Sequence, residues 1–274
     1  MSLEQQLLAF CRQQRSRGRP AVLGLNGPVG AGKTSFSLRF QHQCAAAGLR
    51  LAVVSIDDAY LPWARRLQAM AGNPYGVTRV PPGSHDPDLL CRCIDRWREA
   101  DGGRLQLPRF DKTLRQGEGD RALDWQGEAD ALLLEGWFLG CRPLDPGLAA
   151  SALAELPGFD SAERAWALRC NAALEAYQPL WSRLDRLVQL WPQRWDLPRR
   201  WRLQAEARQR RSGGGWLSAT ALNRLVDASI KSLPPALYQQ PLLAHASWVR
   251  LLDGRRRCVW EGSGGAAFLR LTQS

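Results

Sequence analysis

The sequence predicts a doubly wound α/β fold, a parallel sheet with helices on both faces, within one domain spanning residues 1–274. Three observations carry that expectation. Short apolar runs at Ala21–Leu25, Leu51–Ile56 and Ala131–Leu134 read as buried strands, with further strands expected at Leu184–Leu190 and Trp248–Leu252. Helical segments alternate with them, over Ser35–Ala47 closed by Gly48, around Ser161–Tyr177 and over Leu217–Leu233. The first strand runs directly into Gly27-Pro28-Val29-Gly30-Ala31-Gly32-Lys33-Thr34, which has the form GxxxxGK[ST] and precedes a helix.

That motif is a phosphate-binding loop in its required context. Its glycines let backbone N–H groups converge on phosphate oxygens, Lys33 reaches the outer phosphates, and the Thr34 hydroxyl can ligate Mg²⁺. Residues Gly27 through Ser35 are therefore the expected ATP-binding segment.

Composition bounds the remainder. The 274 residues are 45% hydrophobic, enough for a substantial core, and no apolar run reaches the roughly 20 residues that span a bilayer. The polar, charged stretch Met1–Arg19 is not signal-like, and Leu3, Leu7, Leu8, Phe10 and Cys11 space as one face of an amphipathic helix, so a cytoplasmic protein is expected. Seven cysteines without CxxC pairs or paired histidines read as reduced thiols, and Cys91 and Cys93 point in different directions on a helix. A net charge of +11 suits ATP and an anionic substrate; no nucleic-acid module accompanies it, so nucleic acid is not expected as the partner.

In a parallel sheet, ligands collect at the carboxyl ends of the strands. The second strand ends there at Asp57 and Asp58, and the third at Glu135. Phosphoryl transfer requires positioning and charge neutralisation, which assigns Asp57 as the base for the acceptor hydroxyl and Glu135, with Thr34, as the Mg²⁺ site. Either member of the Asp57–Asp58 pair could instead cap a helix, as could Glu135. Roughly seventy residues separate the second and third strands, too many for a simple crossover, so residues 58–128 are expected to be a substrate-binding insertion. It holds two polar clusters beside turn formers, around Ser84-His85-Asp86 and Arg109-Phe110-Asp111-Lys112; His85 either binds substrate or fills a turn. Residues 195–216, rich in arginine and followed through Gly213–Gly215, read as a lid that brings a cation such as Arg202 to the transferring phosphoryl group. A solvated basic helix face is the alternative for Arg202, Arg208, Arg210 and Arg211.

Several blocks together resemble the D-glycerate 3-kinase family of P-loop kinases: SIDDAYL at Ser55–Leu61, RVPPGSHD at Arg79–Asp86, PRFDKT at Pro108–Thr113 with GEGDR at Gly117–Arg121, LEGWFLG at Leu134–Gly140, and WRLQAE at Trp201–Glu206. The resemblance runs from about residue 20 to 245 in the family's order. It implies ATP-dependent phosphorylation of D-glycerate to 3-phosphoglycerate, with Asp57 activating the acceptor hydroxyl; the alternatives are another P-loop kinase acting on a nucleoside, sugar or pantothenate-like alcohol, and a nucleic-acid-associated P-loop ATPase. Asp58, Tyr60, Arg79, His85, Asp111 and Lys112 are then the expected substrate contacts, His85, Arg79 and Lys112 foremost. The chain departs from the family at Ala59, Glu118, Ser229, Lys231 and the turn Gly215–Ala219, positions at the pocket wall and lid base.

Overall fold

The computed structural model describes residues 1–100, 103–211 and 218–272. Helix α1, Leu3–Ser16, opens with a capping box between Ser2 and Gln5 and buries Leu3, Leu7 and Cys11, the face expected from its spacing. Strand β1, Ala21–Asn26, is followed by α2, Lys33–Ala46, then β2, Leu51–Ser55, and a single 3₁₀ turn, Ile56–Ala59. The insertion supplies α3, Trp63–Ala69, α4, Pro87–Glu99, and the hairpin of β3, Gly103–Asp111, and β4, Asp120–Ala129. Strand β5, Ala131–Gly136, returns to the main sheet; α5, Pro146–Glu155, α6, Ser161–Ala173, and α7, Gln178–Trp181, lead to β6, Arg186–Pro192. The chain ends with α8, Leu197–Arg211, α9, Ala219–Ser232, α10, Pro235–Tyr238, strands β7, Trp248–Leu252, and β8, Cys258–Gly262, and α11, Gly264–Thr272.

The main sheet has the order β2-β5-β1-β6-β7-β8, parallel except for the antiparallel edge strand β8. Alternation of side chains assigns its residues to two faces. Val22, Val54, Leu132 and Leu134 pack with Leu90, Ile94 and Trp97 of α4, Trp166 and Cys170 of α6, and Leu180 of α7. Leu23, Leu25, Leu133 and Leu190 pack with α1, with Phe36 and Phe40 of α2, and with Trp201 of α8. Both faces are covered, which is why the strands read as continuous apolar runs rather than alternating ones. Six cysteines lie in these layers and all seven are free; Cys258 alone is exposed. Among the described residues, no helix is long and apolar enough to cross a membrane.

The β3–β4 pairing and the docking of α8 were not foreseen in the sequence. The β3–β4 hairpin forms its own two-stranded antiparallel sheet, with Leu105 and Leu107 buried against α4 while Arg104 and Gln106 face outward; the register slips between Leu107 and Arg109, around Pro108. The expected lid is, over its described part, the docked helix α8: Trp201 is 0% exposed and its indole N–H donates to the Gly254 carbonyl at 3.0 Å. The glycines 213–215 expected as its hinge lie outside the described residues.

Arg66 fixes the hairpin to the segment after β2. Its guanidinium is 0% exposed and donates to the carbonyls of Leu61 at 2.9 Å, Glu118 at 2.9 Å and Gly119 at 2.6 Å, while lying 4.8 Å from the Phe110 ring centroid. Burial lowers its pKa, opposed by Asp120. A buried cation bonded to three carbonyls cannot be truncated without stranding those acceptors. Arg66→Met should therefore lower unfolding free energy by about 2–4 kcal/mol in denaturant titrations. A loss under about 1 kcal/mol would show that the hairpin is held elsewhere.

Candidate active site

The register of three neighbouring strands assembles the site. Leu25 of β1 and Ser55 of β2 both pair with Glu135 of β5, so the phosphate loop, the acidic turn and Glu135 leave the sheet at one edge. Gly27 N–H donates to the Gly136 carbonyl at 3.1 Å, tying the loop's first residue to that edge. Gly30 and Gly32 adopt φ of 76° and 90°, where a side chain is strained. At Gly30 space is also closed: a Cβ would stand 2.7 Å from Trp201 Cβ and 2.9 Å from the Arg202 backbone nitrogen.

A cavity of about 430 Å³ opens over this edge. Of the expected residues, its walls include Val29, Gly30, Gly32, Lys33, Thr34, Ser35, Asp57, Tyr60, Arg79, Lys112, Glu135 and Arg202; Trp137, Arg208 and Arg256 join them. The Lys33 ammonium donates to the Gly27 carbonyl at 2.9 Å and lies 3.8 Å from Glu135 Oε2. Burial lowers the Lys33 pKa against the pull of Glu135 and Asp57, and burial raises that of Glu135 against the pull of Lys33. Both groups are thus charged at a cost that an added polyanion and cation would relieve.

Asp57 and Asp58 diverge. Burial would raise the Asp57 carboxyl, but Lys112 Nζ at 3.1 Å from Oδ2, with His85 and Tyr60 close by, holds it well below the usual carboxylate range. Asp57 is therefore ionised throughout neutral and mildly acidic pH. Asp58, expected as a substrate contact, is instead turned into the framework: it accepts from Ser55 N–H at 3.0 Å and from Arg109 Nη1 at 3.2 Å, and it completes a capping box for the 3₁₀ turn. A short 3₁₀ turn sends adjacent side chains in different directions, so only one acid of the pair reaches the cavity.

Two further expectations are corrected. Asp111 lies outside the cavity, its carboxylate accepting from the Thr113 amide and hydroxyl at 2.8 and 2.6 Å. His85 is 4% exposed and stands behind the cavity wall, stacked on Tyr60 at 4.4 Å between ring centroids. Arg79 does reach the cavity, braced by the carbonyls of Gly117 and Glu118 at 3.1 and 3.2 Å. Next to it, Val80 holds φ 96°, a strained conformation for a β-branched residue; the Trp137 indole donates to its carbonyl at 3.3 Å. Glu118, a departure from the family pattern, accepts from the Thr78 hydroxyl, and Lys231, another, bonds both Glu163 oxygens at 2.6 and 2.7 Å.

Arg256, the middle of three consecutive arginines, was not singled out from the sequence. In the turn between β7 and β8, at φ 63°, it donates to the Gly30 carbonyl at 2.7 Å and to the Trp201 carbonyl at 2.8 Å. It thereby clamps the phosphate loop to α8. Only the residue's left-handed backbone carried a trace of this, and that is not readable without the fold.

No family model matches the sequence. The chain is 29% identical to an uncharacterized kinase of Schizosaccharomyces pombe over 204 residues, 71% of this chain and 73% of that protein. It is 28% identical to a chloroplastic D-glycerate 3-kinase of Arabidopsis thaliana over 235 residues, 81% of this chain; it spans about half of that relative, 49%. A solved D-glycerate 3-kinase from Cryptococcus neoformans var. grubii superposes with a TM-score of 0.80 at 26% identity, covering 96% of this chain and 99% of the other. The chain is similar in sequence to D-glycerate 3-kinases and has the fold of the solved one. In this chain Gly30, the docked α8 and Arg256 form one packed unit at the phosphate-loop end of the cavity.

Gly30→Ala tests that unit. Both the positive φ and the contact with the Arg202 backbone oppose a methyl group, at a cost of about 1–3 kcal/mol or more. The variant should melt at lower temperature and bind a non-hydrolysable ATP analogue at least about tenfold more weakly by calorimetry. Wild-type affinity would mean that α8 and the loop separate freely.

Proposed function

We propose that this chain transfers the γ-phosphoryl group of ATP to the 3-hydroxyl of D-glycerate. The observation that carries the reading is the acceptor end of the cavity, where ionised Asp57 stands 3.1 Å from the Lys112 ammonium, with Arg79 on the same wall. That combination suits a small alcohol that also bears an anionic group. The hydroxyl would meet Asp57 and the carboxylate would meet Lys112 and Arg79. The names of the relatives from Arabidopsis and Cryptococcus support glycerate as that acceptor.

In this reading the loop from Gly27 to Ser35 cradles the triphosphate and Lys33 exchanges its carbonyl contacts for the outer phosphates. Arg202, 3.2 Å from Glu206 Oε2 on α8, provides positive charge over the transferring group. The insertion 58–128 supplies the acceptor contacts and the segment 195–216 covers the nucleotide. Asp57 orients the hydroxyl and receives its proton. Its low basicity is partly the work of Lys112, so engagement of Lys112 by the substrate carboxylate makes Asp57 a better proton acceptor when the acceptor is in place.

The donors also fit Mg²⁺. Mg²⁺ keeps several waters and relies on one or two protein oxygens plus phosphates. Thr34 and Glu135 line the cavity and would hold the ion through the hydroxyl and the carboxylate, and the ion would neutralise phosphate charge. A reducing, cytoplasmic setting suits seven free cysteines.

ADP release across D-glycerate, L-glycerate, uridine, ribulose 5-phosphate, pantothenate and single-stranded DNA tests the acceptor. The highest kcat/KM should fall on D-glycerate; a preference for uridine, pantothenate or DNA would overturn the reading. Within the active enzyme, Asp57→Asn should lower kcat by about 10²-fold or more, whereas Asp58→Asn should cost stability and leave kcat within about threefold. The reverse pattern would exchange the two roles.

A further inference from the structure

Behind Asp57 lies a buried polar chain that the reaction scheme above does not use. Tyr177 Oη accepts from the Gly83 N–H at 2.8 Å and sits 3.0 Å from His85 Nδ1. Its single proton therefore goes to Nδ1. The other neighbour of Nδ1, Ser84 Oγ at 3.3 Å, spends its proton on the Pro81 carbonyl at 2.6 Å. Nδ1 is thus an acceptor, and the ring hydrogen resides on Nε2.

That Nε2–H is buried without a hydrogen-bond partner among the described residues, and Asp57 Oδ1 stands 3.7 Å away. The separation is longer than a hydrogen bond, as base–orienter contacts often are before substrate closes a site. The ring cannot turn elsewhere: Tyr60 stacks on it at 4.4 Å with planes 19° apart, and Phe138 lies at 5.6 Å on a tilt of 47°. Nor can it meet substrate directly, being 4% exposed behind the wall.

We propose that His85 is a positioning residue, its tautomer fixed by Tyr177, whose Nε2–H holds Asp57 Oδ1 so that Oδ2 faces Lys112 and the acceptor hydroxyl. The inference rests on Asp57 being the base. Burial lowers the His85 pKa, keeping the ring neutral so that one nitrogen donates and the other accepts. The logic is that of a base oriented by a third group, with the histidine here as the orienter.

The experiment measures kcat and KM for D-glycerate in Tyr177→Phe, His85→Gln and His85→Leu, with Asp57→Asn alongside and thermal melts on each. Tyr177→Phe keeps the ring packing and removes the hydroxyl, and with it both the proton that sets the tautomer and the acceptor of the Gly83 N–H, so the thermal melt reports the cost of the second loss separately from kcat. It should lower kcat by about 5- to 20-fold with KM for D-glycerate within about twofold. A glutamine side-chain amide at this position can carry its N–H to the place of Nε2, so His85→Gln should retain about tenfold more kcat than His85→Leu. Should His85→Leu fail to fold, Tyr177→Phe and His85→Gln decide alone, the latter then expected within about tenfold of wild type. Wild-type kcat in Tyr177→Phe and in the foldable His85 variants, beside an inactive Asp57→Asn, overturns the inference and leaves the base intact. A defect confined to KM overturns it in favour of substrate contact. A fully active Asp57→Asn removes the base on which it rests.

Discussion

Everything at the site depends on the register of β1, β5 and β2, because it forces two acids and a lysine to share one sheet edge. Leu25 and Ser55 both oppose Glu135, and the phosphate loop and the acidic turn continue from the strands so aligned. A shift of one residue would send Glu135 into an apolar layer. The buried Leu132 and Leu134 on one face and Leu133 on the other hold the register, so core packing and charge placement are a single constraint. The consequence is electrostatic: Lys33, Glu135 and Asp57 are brought close enough to perturb one another.

Around that edge the protein adds clamps whose parts come from distant stretches of chain. Arg66 fastens the β3–β4 turn to the residues after β2, which brings Lys112 to Asp57. Arg256 fastens the phosphate loop to α8. Each is an arginine capped by main-chain carbonyls, so each fixes backbone rather than another side chain. Much of the net charge of +11 has such internal work to do, and an arginine count alone therefore says little about nucleic acid.

What the sequence disclosed followed from local physics. The GxxxxGK[ST] run, the apolar strands and the capped helices each declare themselves within a few residues, and the β7 limits Trp248–Leu252 coincide with those expected. What stayed hidden depends on distant partners. The β3–β4 hairpin was obscured by Pro108 and by an alternation that only α4 makes meaningful. Asp57 and Asp58 are indistinguishable as letters, and only the 3₁₀ turn sends one to the cavity and the other to Arg109. His85 looked like a substrate ligand because its chemistry permits it; Tyr60 and Tyr177 place it one layer further in. The segment containing α8 was expected as a lid because arginines dominate it; its described part is a helix on which Trp201 is fully buried, an anchor that only the fold reveals.

The central claim is that Lys112 holds the acceptor's anionic group while Asp57 takes its hydroxyl. The most direct measurement compares kcat/KM for D-glycerate and for glycerol, which lacks the carboxylate, in wild type and in Lys112→Met. The account predicts that wild type prefers D-glycerate by about 10²-fold or more and that Lys112→Met reduces this preference by at least about tenfold, through loss of activity on D-glycerate. An equal loss on both acceptors, with the preference intact, would contradict it.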